Sequence, residues 1–354
     1  MVAQVEIEDV RACLGQYPAL GTIASVAPPR ESEWHGHNTV FRAMCEAGEF
    51  YLKVLTTHPQ LSTEEHYEFQ DWAMEHFRAI GAQTPVALRN MHGNRLTPCA
   101  DYPAVLSAAV TGDEFHEEVL AQQESAGRTL GEFHCRAAAS APRGRSAFRP
   151  LGGYLLRDKS QLDRLPDIPE RAAIFENADM LLARSHRIAQ ELDTCEFDSL
   201  PRSAVHSDFT GIHLRVRGDR VCGVLDFEYV CLEARILDLG RSLTQLFCVG
   251  REAEEDGPAR TRAFLKGYDS AGWPLEEREL AAFPLAVKTY DFEVITFPIH
   301  QMVETGQPYS ILDLDRLLAY WMMRVDWWEE HGNEVAEQLQ RAQEVKPCGP
   351  ESAT

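Results

Sequence analysis

The rhythm of apolar and polar positions changes near residue 112. Before it, short alternating runs dominate. Glu49–Leu55 (EFYLKVL) alternates β-prone apolar residues with polar ones, which predicts a strand with one buried face. Gly36–Arg42 (GHNTVFR) reads as a turn entering a strand, and Thr84-Pro85-Val86 as the start of another. Pro103–Val110 (PAVLSAAV) is an apolar strand closed by Thr111-Gly112. Ser62 opens a capping box with Glu65, so a helix is expected to run from there to about Ile80, where Gly81 ends it.

After residue 112 the spacing turns helical. Val119, Leu120, Leu130 and Phe133 place a helix over Glu117–Ala137. Residues 138–152, rich in Ala, Ser, Pro, Arg and Gly, read as a loop, and Pro169–Leu192 as one long helix. Leu214–Val216 and Val221–Phe227, joined by Gly218-Asp219, form a hairpin signal. Helices follow to about Gln343, with a frayed tail over 346–354, and no internal repeat is present. The pattern predicts an α+β chain of two lobes. A strand-rich lobe over 1–106 carries one main helix, a connector spans 107–112, and a mostly helical lobe covers 113–345. A cleft between lobes is a natural ligand site.

Composition narrows the partners. With 55 Asp and Glu against 34 Lys and Arg, the formal charge of −21 disfavours nucleic acid and anionic membranes. It suits a cationic small molecule, or serves solubility alone. Nine cysteines without a C-x-x-C pair fit reduced thiols rather than a disulfide framework. Met1–Asp9 has no apolar signal core, and no apolar run nears the ~18 residues of a spanning helix. A cytoplasmic location is expected.

The densest chemistry lies between Val205 and Glu228, in VHSDFTGIHLRVRGDRVCGVLDFE. His206-Ser207-Asp208 matches the first and third positions of a kinase catalytic loop, and Asp226-Phe227-Glu228, after an apolar strand, matches a metal-binding step. Phosphoryl transfer asks for a carboxylate to receive the acceptor hydroxyl, here Asp208, and a hard oxygen for Mg²⁺, here Asp226. A lone H-x-D is weak evidence. Followed by a hairpin and D-F-E, it is specific.

With Asp238-Leu239-Gly240 a dozen residues on, the chain resembles the aminoglycoside phosphotransferase and choline kinase superfamily, including its homoserine-kinase-like members, from about Gly21 to Glu330. The resemblance implies a protein-kinase-like fold, with a small antiparallel sheet in the first lobe, and an ATP- or GTP-dependent O-phosphotransferase using Mg²⁺, with Mn²⁺ as the alternative. It implies that Lys53 binds phosphate, paired with a carboxylate on the following helix: Glu68, with Asp71 one turn on as competitor. It places Gly36 and Asn38 in the nucleotide loop, backbone of Ala108 and Val110 against the base, and His206 and Asp238 as supports of the catalytic loop. The aromatic residues Tyr320, Trp321, Trp327 and Trp328 read as core packing, whereas Glu228, Glu233 and Asp291 are acids that could face an amine or simply lie on the surface.

The chain departs from the family where its Asn becomes His213. Imidazole suits Mn²⁺ better than Mg²⁺. Turnover is expected to survive and to fall below about pH 6.5 as His213 protonates. The alternative is a nucleotide-binding pseudokinase without turnover. The acceptor is a small molecule, either a cationic aminoglycoside or amine-bearing alcohol, or a zwitterion such as homoserine. A protein kinase is disfavoured because no A-P-E follows the metal motif.

Overall fold

A computed structural model describes residues 5–27, 38–56, 62–244, 257–306, 309 and 314–344. The first lobe holds helix α1 (Ile7–Leu14) and a five-stranded antiparallel sheet. Its strands are β1 (Ile23–Ala27), β2 (Thr39–Cys45), β3 (Gly48–Val54), β4 (Leu96–Cys99) and β5 (Tyr102–Ala108), in the order β1-β2-β3-β5-β4. Alternation decides which side chains face where. Phe50, Leu52 and Val54 of β3 pack with Phe41, Ala104 and Leu106 and with Val10, Cys13 and Leu14 of α1. Lys53, between them, projects from the opposite face, its Cα paired with Val40 and Val105. Helix α1 was not expected from the acidic N-terminus; Val10, Cys13 and Leu14 supply its apolar stripe.

Helix α2 (Glu64–Ala79) starts one residue later than expected, because the Thr63 side chain, not that of Ser62, accepts the His66 N–H. No strand forms at Thr84–Val86. Instead Gln83 and Ala87 make isolated bridges to Gly223 and Ser107. Phe69, Trp72, Ala73, Met74 and Phe77 of α2 join the core of the second lobe, not that of the sheet. Phe77 stacks on Phe133 with centroids 4.0 Å apart.

The second lobe contains α3 (Leu120–Ala138), α4 (Arg171–Glu176), α5 (Ala178–Thr194), α6 (Ile236–Leu243), α7 (Gly257–Asp269), α8 (Glu277–Thr305) and α9 (Leu314–Glu344). The helix expected over 169–192 is thus broken at Asn177, whose side chain bonds the Ala173 carbonyl and ends α4. Two small sheets frame the site. One pairs β7 (Arg202–Val205) with β10 (Cys231–Ala234); the other orders β6 (Asp113–Glu114), β8 (Leu214–Arg217) and β9 (Arg220–Val224) as β6-β8-β9. α3 and α7 cross with backbones touching: a Cβ on Gly127 would lie 1.9 Å from the Phe264 carbonyl oxygen. Trp328 is buried in the main core, and Trp321 packs against a second one. No described helix is long and apolar enough to cross a membrane, and the described cysteines form no disulfide.

Candidate active site

Three local devices aim the polar groups. β7 delivers His206-Ser207-Asp208, the β8–β9 hairpin delivers Asp226, and α6 begins just before Asp238. Asp238 is fully buried and accepts the backbone N–H groups of His206 and Ser207, both at 2.6 Å. His206 bonds the Leu225 carbonyl through Nε2 at 2.8 Å and receives the Asp208 N–H on Nδ1 at 3.3 Å, tying the loop to the hairpin. Ser207 and Asp226 both have left-handed backbones, φ 65° and 58°. Aspartate tolerates this region; serine stands there under strain.

Lys53 Nζ lies 2.8 Å from Asp226 and 2.7 Å from Glu228. Burial opposes the lysine charge, but the two carboxylates outweigh it and hold its pKa above the ordinary range. Asp226 answers in kind: burial disfavours its charge, yet Lys53 holds it below the usual carboxylate range. His213 Nε2 stands 3.5 Å from Asp208 Oδ2 and also feels the Asp226 charge. Burial outweighs both carboxylates and lowers the His213 pKa. Its protonation therefore falls below the expected value near 6.5. On the other side, Asp208 Oδ1 accepts from Arg241 Nη2 at 2.9 Å.

The pairing of Lys53 with Glu68 does not occur. Glu68 is exposed, and Asp71 and Glu64 are both held by Arg95. The two downstream carboxylates already satisfy the lysine, and the buried α2 residue beside it is Tyr67, whose hydroxyl senses Lys53 and Glu228. Asn38 donates to both Glu228 oxygens at 2.7 and 2.8 Å, so it reaches the same cluster. Gly36 lies outside the described residues. Ala108 ends β5, opposite Phe50, and Val110 follows in the crossing between lobes.

Sequence reasoning missed several participants. His66 donates through Nε2 to the Glu228 carbonyl at 3.0 Å and accepts the Ala147 N–H on Nδ1. His134 bridges Asp238 and the Tyr268 hydroxyl at 3.0 and 2.8 Å. Arg241, one turn after Asp238, was also passed over; a lone cation inside the apolar ILDLGRSL was the available signal. The acids considered for an amine are committed elsewhere. Glu228 serves Asn38 and Lys53, and Glu233 accepts the Leu151 and Ala234 N–H groups. Asp291 is held by Arg324 and Trp328.

Known proteins resemble the chain in sequence and in fold. The homoserine kinase of Methylobacterium nodulans is 29% identical over 301 residues, spanning 80% of this chain and 85% of that protein. Amicoumacin kinase hAmiN, in complex with AMP-PNP, Ca²⁺ and Ami, superposes with a TM-score of 0.62 at 16% identity, over 92% of this chain and 93% of its own. A microcompartment-associated aminopropanol kinase also reaches 0.62, at 15% identity over 94% and 99%. Residues 31–275 match the phosphotransferase enzyme family. That stretch is more than half of the chain and contains Lys53, Asp208, Asp226 and Asp238, so the chain belongs to this family, of aminoglycoside phosphotransferase and choline kinase type, as a small-molecule kinase.

Proposed function

We propose that the chain moves the γ-phosphoryl group of ATP or GTP onto a hydroxyl of a small acceptor. Asp208 receives and orients that hydroxyl, Lys53 offsets phosphate charge, and backbone near Ala108 and Val110 meets the base. His206 and Asp238 hold the catalytic loop in place. The observation that carries the reading is convergence from both lobes: Lys53 lies 2.8 Å from Asp226, while His213 spans from Asp226 toward Asp208 at 3.5 Å.

Among the described residues no group of three or more His, Cys, Asp or Glu is arranged for a metal. Mg²⁺ draws most of its oxygens from phosphate and water, so the single hard carboxylate of Asp226 fits it, and the His213 imidazole fits Mn²⁺ better. Such an ion, when bound, neutralises phosphate charge. In the free protein Lys53 occupies Asp226, and it has to share that carboxylate when nucleotide and cation arrive.

The test is transfer of label from γ-labelled ATP or GTP across a panel of amino alcohols, hydroxy amino acids and aminoglycosides, with Mg²⁺ or Mn²⁺. Transfer that disappears in Asp208→Asn is the expected result. Nucleotide binding without transfer or slow hydrolysis would instead favour the pseudokinase, which His213 motivates.

A further inference from the structure

Asp208 presents its two oxygens to different neighbourhoods. Oδ2 faces His213, and the titratable groups around that imidazole are Asp208, Asp226, His206 and Lys53. Oδ1 faces Arg241, whose ionisable neighbours are Tyr290, Asp208 and Asp291. The groups suited to phosphate lie on one side of the carboxylate, and Arg241 lies on the other.

That arginine is held in place but not used up. Its guanidinium rests over the Tyr290 ring, 4.3 Å from the centroid, with 15% of the side chain exposed. Asp291 acts on it through charge, but its hydrogen bonds go to Arg324 and Trp328. Arg241 Nε is buried without a hydrogen-bond partner among the described residues. Buried donors in native proteins are nearly always met, and an unmet one marks a place where a partner is missing. The planar fork of a guanidinium matches a carboxylate. Tyr290 beneath the guanidinium belongs, with Phe148, to an apolar cluster over Val205, Cys231 and Leu237, which offers a surface to a short aliphatic body. Glu228, Glu233 and Asp291, the acids considered for a cationic acceptor, are already paired with Lys53, Arg202 and Arg324.

We infer, on the basis of the phosphotransferase reading above, that Arg241 selects the acceptor by binding a carboxylate on the compound whose hydroxyl meets Asp208. The acceptor class is then hydroxy acids and hydroxy amino acids. Aminoglycosides and simple amino alcohols lack the group that completes the guanidinium.

Two acceptor pairs that differ only by a carboxylate test this: L-homoserine against 3-aminopropan-1-ol, and L-serine against ethanolamine. In at least one pair the wild type should prefer the carboxylated member by about 10- to 100-fold in kcat/KM, the worth of one charge-assisted contact. Arg241→Gln should abolish that preference, and Arg241→Lys should keep part of it, since lysine retains the charge and loses the fork. The assignment is overturned if the wild type shows no preference in either pair. It is also overturned if Arg241→Gln lowers both members equally, because a residue that merely steadies Asp208 leaves the ratio unchanged. If no acceptor is phosphorylated, calorimetric titration of L-homoserine into nucleotide-loaded protein separates the two readings. Binding that disappears in Arg241→Gln keeps the carboxylate site while the transferase reading falls; no binding by the wild type removes the site. Thermal melts check folding, and Arg241→Lys carries the comparison if the Gln variant does not fold.

Discussion

On the side of Asp208 that holds His213 and Asp226, nearly every group comes from one continuous stretch, 205–228, and the sheet side adds Lys53 and Asn38. On the Arg241 side, the wall is gathered from Phe148 in a loop, Arg241 on α6 and Tyr290 on α8. The electrostatics differ as well. Asp226 is held low and Lys53 high, so their charges are fixed near neutral pH. On α8, one turn beyond Tyr290, Glu293 is pushed up to about 8 by burial, against the pull of backbone donors from Tyr154 and Gly152. The contrast is one of construction: one side of Asp208 is a local cassette, and the other is made of residues that only tertiary packing brings together.

The largest effect expected is that of Asp208→Asn, which should lower kcat by about 10²–10⁴-fold and leave nucleotide affinity nearly unchanged. Nucleotide titration beside steady-state turnover checks it, and a loss under tenfold would dissolve the distinction between the two sides. Lys53→Met should cost about 10²–10³-fold in kcat/KM for nucleotide, with little change in the ranking of acceptors. A reordered ranking would mean that the sides are not separable.

Glu293 sharpens the comparison through pH. Its folded pKa of about 8 lies above that of an exposed glutamate, so between the two the folded protein holds the extra proton. Stability therefore falls as pH rises toward 8, by at most about 1.4 kcal/mol per unit. Denaturant melts from pH 6 to 9 should show this slope, and Glu293→Gln should flatten it. The smallest effect is that of Ser207→Gly. Relief of the left-handed strain, offset by the entropy of glycine, should raise stability by about 1 kcal/mol or less. A clear loss would show that the serine hydroxyl matters more than the backbone.

The same division explains what was legible. The segment 205–228 stood out because its residues sit at fixed spacing around a hairpin, and Lys53 stood out through the family resemblance, with strand alternation turning it away from the buried face. Glu68 was misjudged because helical periodicity gives the angle between residues, not the rotation of the helix. Arg95, from the far end of the sheet, claims Glu64 and Asp71 and so fixes that rotation. The break at Asn177 turns on one side-chain hydrogen bond inside an otherwise helical pattern. Arg241 was passed over for another reason: the lone cation in ILDLGRSL was visible, but its partners Asp208 and Tyr290 are distant in sequence.

Because α2 lends its aromatic face to Phe133, Phe209 and Phe227, it rides with the larger body. The sheet therefore reaches the Asp226–Glu228 corner through its own side chains, and Arg95 ties it back to α2 through Glu64 and Asp71. Lys53 and Asn38 hold the Glu228 carboxylate from the sheet side while His66 on α2 holds its carbonyl, so a single glutamate registers where the sheet stands relative to α2.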